Sequence, residues 1–130
     1  MADQKKTLLI VDDDPDLCKL LADVFAEAGY RTVTLSEGSA SECVVPERPP
    51  DVAIVDFMLP GYAGLLALWA IKQAAGTDTP VVMTAGHIEY PDLAAARAFG
   101  ADDFLVLPYE IDDLVTAVSR LCPPQANKAT

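Results

Sequence analysis

The sequence is short of the residues on which several classes of chemistry depend. It has three cysteines, Cys18, Cys43 and Cys122, an odd number with no paired metal spacing, so neither a disulfide framework nor a cysteine metal site is expected. Reduced thiols in a cytosolic protein are the simplest reading. Only one histidine, His87, is present, and nothing in the spacing gives any thiol a basic partner. Lysine and arginine number 9 against 20 acids, for a net charge of −11. Direct binding to nucleic acid is excluded on that balance, because phosphate contacts need cationic side chains. Basic partners and divalent cations suit it better. No apolar run approaches the ~20 residues of a membrane-spanning helix. Met1 to Lys6 is basic but is followed by no long apolar segment with a cleavage site, so export is not expected and the cytoplasm is the expected location. A phosphate-binding loop of the P-loop type is missing as well.

What is present is a globular pattern. The chain has 130 residues, 52% of them apolar and 22% charged, enough for one domain with its own core. We read residues 1–122 as that domain and 123–130 as a flexible tail or the start of a linker. Apolar runs predict strands at Leu8–Val11, Val52–Val55, Pro80–Met83 and Asp103–Leu107, and the Thr and Val of Tyr30–Leu35, typical of β structure, predict another. Helical spacing predicts a helix entered through Asp14 and Pro15 and stopped by Gly29, then a short one over Ser36–Val45. A third spans Leu65–Ala75, with Leu65, Leu68, Trp69 and the Lys72 stem as its apolar stripe. The last two span Pro91–Phe99 and Ile111–Leu121. Strand and helix alternate five times, which implies an α/β doubly wound, five-stranded parallel sheet with helices on both faces.

Such sheets bind ligands beyond the carboxyl ends of their strands. Three of those ends carry Asp12 and Asp13, Asp56, and Thr84. Clustered carboxylates repel, and the usual relief is a raised pKa or a bound cation. Oxygen donors alone suit Mg²⁺. A carboxylate beside that ion is a competent nucleophile toward phosphorus, and a threonine hydroxyl can donate to a phosphoryl oxygen.

The stretches LLIVDDDP, DVAIVDFMLPGYAGL, PVVMTA and GADDFLVLPYEIDDL, in that order, resemble the signature segments of receiver domains of bacterial two-component response regulators. The resemblance runs from about Lys6 to Leu121 and implies the flavodoxin-like fold with strand order 2-1-3-4-5. It implies Asp56 as phosphoacceptor and Asp12, Asp13, Asp56 and the backbone carbonyl of Met58 as Mg²⁺ ligands. It further implies Thr84 as the switch hydroxyl and Phe104 as the switch aromatic. A histidine kinase or histidine phosphotransfer protein would be the donor, and a downstream protein or output domain the reader. The face formed by the fourth predicted helix, fifth strand and fifth predicted helix would carry the signal and can also support a homodimer.

One position departs from the family. Leu107 stands where the family has lysine, while Pro108 and Tyr109 keep the frame of the motif. A close charge contact is worth roughly 1–4 kcal/mol between water-like and surface-like dielectrics, so its loss predicts weakened phosphoryl-site stabilisation or switching. His87, three residues after Thr84, is either a solvent-exposed loop residue or a substitute cation over the pocket. The competing function is a pseudo-receiver, a phosphorylation-independent binding module. An enzyme of the haloacid-dehalogenase type is disfavoured, because Met58 stands where a second acid would be needed. No enzymatic activity is expected beyond the domain's own aspartyl phosphorylation and dephosphorylation.

Overall fold

The most apolar runs, within 8–11, 52–55 and 81–83, become central parallel strands that helices cover from both sides. The computed structural model describes residues 5–35, 49–74, 78–87 and 90–124. Its strands are β1 (Thr7–Val11), β2 (Arg31–Leu35), β3 (Val52–Asp56), β4 (Val81–Ala85) and β5 (Asp103–Val106). They form one parallel sheet in the order β2-β1-β3-β4-β5, the predicted order. The helices are α1 (Pro15–Glu27), α2 (Ala63–Gln73), α3 (Tyr90–Ala98) and α4 (Ile111–Leu121), with a 3-10 turn at Pro60–Tyr62. The helix predicted over Ser36–Val45 lies outside the described residues.

Alternate strand residues face opposite layers. Leu8, Ile10, Val52, Ile54 and Val82 pack with Phe25 of α1 and Leu114 and Val118 of α4. Leu9, Val11, Val55, Val81 and Met83 pack with Leu68 and Ile71 of α2 and Ala96 of α3. This two-sided burial explains why β1, β3 and β4 read as continuous apolar runs rather than alternating ones.

The caps follow from single residues. Asp14 accepts from the backbone N–H groups of Asp16 and Leu17 at 3.0 and 3.3 Å, opening α1 as its N-cap. Gly29 and Gly100, at φ 105° and 108°, follow the ends of α1 and α3 in a conformation that only glycine adopts without strain. Tyr30 precedes β2 rather than opening it; its ring is buried, and its hydroxyl donates to the carbonyl of Cys122 at 2.6 Å, joining the start of β2 to the end of α4.

One prediction is corrected. The buried residues of α2 are Ala63, Gly64, Ala67, Leu68 and Ile71, and Trp69 is 52% exposed. The helix begins at Ala63, two residues earlier than predicted, and Gly64 lets it approach the end of β3: a Cβ there would lie 2.4 Å from the Asp56 carbonyl oxygen. The Lys72 ammonium is held by Asp102 at 2.7 Å.

Candidate functional site

The sheet order sets β1, β3 and β4 side by side, so their carboxyl ends share one edge. Val11 pairs with Val55, which brings the next residues, Asp12 and Asp56, to neighbouring strand ends. Asp56 in turn pairs with Thr84. Backbone bonds fix these ends: the Asp12 N–H donates to the Leu35 carbonyl at 3.1 Å, and the Phe57 N–H donates to the Thr84 carbonyl at 2.8 Å.

The side chains are held as well. One oxygen of Asp12 accepts from the Asp14 N–H at 2.9 Å, while Asp14 turns to cap α1. One oxygen of Asp56 accepts from the Met58 N–H, also at 2.9 Å. Asp12 is buried, Asp56 half-buried and Asp13 exposed, and carboxylate oxygens from the three lie within 4.8 Å of one another. Each carboxylate keeps an oxygen free of these backbone bonds, so the group can offer oxygen donors to a cation.

Burial and mutual repulsion act on the acids together. Burial lifts the Asp12 carboxyl from the ordinary 3.8 to about 6; the Asp14 N–H opposes this, and the charges of Asp56, Asp13 and Asp14 add to it. Asp56 is also raised, by burial first, with the Met58 N–H opposing and Asp13 adding. Two carboxyls both shifted toward the neutral form mark a place where a cation would relieve repulsion.

These residues bound a cavity of about 320 Å³ that also meets Thr84, Leu107 and Tyr109. Thr84 is buried at 6% exposure. Leu107 is 55% exposed and brings only an apolar side chain to the wall, while its N–H donates to the Ala85 carbonyl at 3.0 Å. Met58 lines the same cavity and is 50% exposed.

Two further residues singled out in the sequence are not among those that line the acid cavity. Phe104 is half-buried on the sheet face covered by α2 and α3, against Phe57 with ring centroids 5.9 Å apart. It lines a separate cavity of about 200 Å³ beside Arg97 and Asp102. His87 is exposed, and the described residues bounding the acid cavity do not include it.

Sequence reasoning used Tyr109 only to fix the frame of a motif. In the structure it lines the acid cavity together with Thr84, Asp12 and Asp56, and burial raises its phenol above the ordinary 10.0. The available signal was its place two residues beyond Leu107, past the end of β5 at the same sheet edge.

Comparison with known proteins agrees with the geometry. The family model for the response regulator receiver domain matches residues 8–119. The chain is 36% identical over 121 residues to the transcriptional regulatory protein BaeR of Escherichia coli O6:H1, covering 91% of this chain and 50% of that protein. It is 31% identical over 118 residues to the DNA-binding response regulator MtrA of Mycolicibacterium smegmatis, covering 91% and 51%. The chain therefore spans about half the length of the curated relatives it matches. A putative response regulator from Chloroflexus aurantiacus J-10-fl superposes with a TM-score of 0.76 at 30% identity, covering 91% of this chain and 98% of that one. A CheY-like receiver domain from Methanospirillum hungatei JF-1, at 20% identity and a TM-score of 0.78, shares the fold over 88% of this chain and 91% of its own.

Proposed function

The chain belongs to the response regulator receiver domain family, and on that premise we propose that Asp56 is its phosphoacceptor in a two-component His–Asp relay. The observation that carries this reading is the gathering of Asp12, Asp13 and Asp56 within 4.8 Å at the strand edge, with Thr84 in register beside Asp56.

The donor set fits Mg²⁺, since every side-chain ligand is a carboxylate and two of the acids are shifted toward neutrality, by burial first and by the neighbouring carboxylates second. Asp12, Asp13 and Asp56 would hold the ion, joined by the carbonyl of Met58. When bound it would neutralise charge on a phosphoryl group in transit.

The remaining steps belong to the chain's own residues. An Asp56 carboxylate oxygen forms the new bond to phosphorus while the bond to the donor histidine nitrogen breaks. The electron pair returns to the imidazole. The Met58 N–H orients Asp56, and the Thr84 hydroxyl, on the neighbouring strand, would donate to a phosphoryl oxygen. Leu107 supplies neither charge nor hydrogen bond, so the acyl phosphate forms more slowly or is held less firmly than with a lysine there. The donor would be a histidine kinase or a histidine phosphotransfer protein in the cytoplasm. A downstream protein or output domain would read a changed α3-β5-α4 face, and that face also serves a homodimer.

The test is incubation with Mg²⁺ and acetyl phosphate followed by intact mass, with Asp56→Asn as control. A gain of one phosphoryl group on the parent and none on the variant is expected. No gain on the parent, with Mg²⁺ binding verified separately, would overturn the relay and leave the phosphorylation-independent binding module.

A further inference from the structure

Residues 57–71, from just past β3 to near the end of α2, contain no charged residue, in a chain whose net charge is −11. Part of that stretch stays in water. Leu66 and Trp69 of α2 are 53% and 52% exposed, and with the exposed Gln73 they lie along one side of the helix. One turn before Trp69, Leu65 opens onto a groove of about 230 Å³, whose other walls are Phe57, Met58, Leu59 and Gly61. Single exposed apolar residues are ordinary, but apolar surface gathered in one place marks a contact surface.

Charge limits what can cover it. Among the described helices α2 alone carries no acid: α1 has Asp16, Asp23 and Glu27, α3 has Asp92, and α4 has Asp112 and Asp113. The one charge of α2, Lys72, is paired with Asp102 at 2.7 Å. A basic partner would gain from acids that this side does not have. Two copies of so acidic a molecule repel over most of their surface, and the outer side of α2 lets them meet without setting acid against acid. The side is also self-complementary. Across a two-fold axis normal to the helix, two α2 helices run antiparallel, so that Trp69 of each copy falls on Leu66 of the other and the pair is closed.

We propose that the outer side of α2 is a homodimer contact, made by Leu66 and Trp69 of each copy. It is separate from the α3-β5-α4 face and needs no phosphoryl group. The contact is small, so the dimer is weak, with a dissociation constant on the order of micromolar to millimolar.

The test is sedimentation equilibrium of the whole chain, without phosphodonor, from about 1 μM to about 1 mM. Trp69 is the only tryptophan, so its emission, read at the same concentrations, reports on this face. The mass is expected to rise from monomer toward dimer while the emission moves to shorter wavelength. Sodium chloride should strengthen the association, because it screens the repulsion between copies. Leu66→Glu keeps the fluorophore and should weaken association about tenfold or more, with a thermal midpoint near the parent's. Arg97→Glu, at an exposed position of α3, makes the whole chain more negative still and should dimerise nearly as the parent does. A monomer at every concentration, or a dimer that Leu66→Glu leaves intact, would overturn the proposal. Emission already at the shorter wavelength in a dilute monomer would overturn it too, by showing Trp69 covered within its own chain. Association lost in Arg97→Glu and kept in Leu66→Glu would move the dimer to the α3-β5-α4 face.

Discussion

Asp12 is the residue at which burial, repulsion and stability meet. Its folded carboxyl titrates near 6 against an ordinary 3.8, so the folded chain binds that proton more tightly than the unfolded chain does. The stabilisation from this proton is complete below about pH 4 and is lost as pH rises through about 6. In metal-free buffer the protein should therefore become less stable across that window, by at most about 3 kcal/mol for a shift of this size. Asp12→Asn keeps an oxygen to accept the Asp14 N–H and removes the charge. Urea unfolding in the presence of a chelator should show the variant about 1–3 kcal/mol more stable than the parent near pH 7.5, with the pH dependence flattened. An unchanged slope would mean that Asp12 is not the group responsible. At this scale the acids were legible from the sequence, since Asp12, Asp13 and Asp56 each end an apolar run. Tyr109 was not, because its place on the cavity wall depends on how the chain turns after β5. Phe104, expected as the switch aromatic on the fifth strand, packs against Phe57 on the face under α2 and α3.

At the scale of elements, the approach of α2 to β3 sets the Asp56 main chain in place. Gly64 touches that junction: a Cβ would fall 2.4 Å from the Asp56 carbonyl oxygen and 2.9 Å from the Phe57 Cα. Neither is the far end of a flexible side chain, so backbone must move. Gly64→Ala is expected to cost about 1–3 kcal/mol and to slow phosphorylation as well, because the displaced atoms include those of Asp56. A urea midpoint and phosphorylation rate equal to the parent's would show that α2 shifts without disturbing the site. The sequence missed this geometry for a physical reason. The α2 segment AGLLALWAIKQ is apolar on nearly every side, so helical spacing alone does not mark which stripe is buried. Size decides it, with the small Gly64 and Ala67 facing the sheet and Trp69 turned outward. In α1 and α4 polar residues interrupt the apolar ones, and the predicted spans agree with the observed ones to within about two residues. The strand order was legible through the resemblance, and the burial of β1, β3 and β4 on both faces through their uninterrupted apolar runs.

For the whole molecule the dominant quantity is a net charge of −11. Any salt should raise stability modestly by screening this self-repulsion. A cation bound at the acid cluster would act differently, stabilising the folded state by mass action, about 2.7 kcal/mol at a hundred times its dissociation constant. Saturating magnesium chloride is expected to raise the urea midpoint beyond sodium chloride of matched ionic strength, and Asp12→Asn should lose most of that excess. Equal effects of the two salts would reduce the acids to a solubility role. The chain matches about half of its longer relatives, so what is tested here is the behaviour of the receiver unit.

The claim on which the account depends is that Asp56 itself carries the phosphoryl group. An acyl phosphate is reduced by borohydride to an alcohol, which converts the modified aspartate to homoserine at a position that peptide mass spectrometry can locate. After treatment with Mg²⁺ and acetyl phosphate, homoserine is expected at position 56 and nowhere else. Homoserine at Asp12 or Asp13, or at no position in a protein that has bound Mg²⁺, would contradict it.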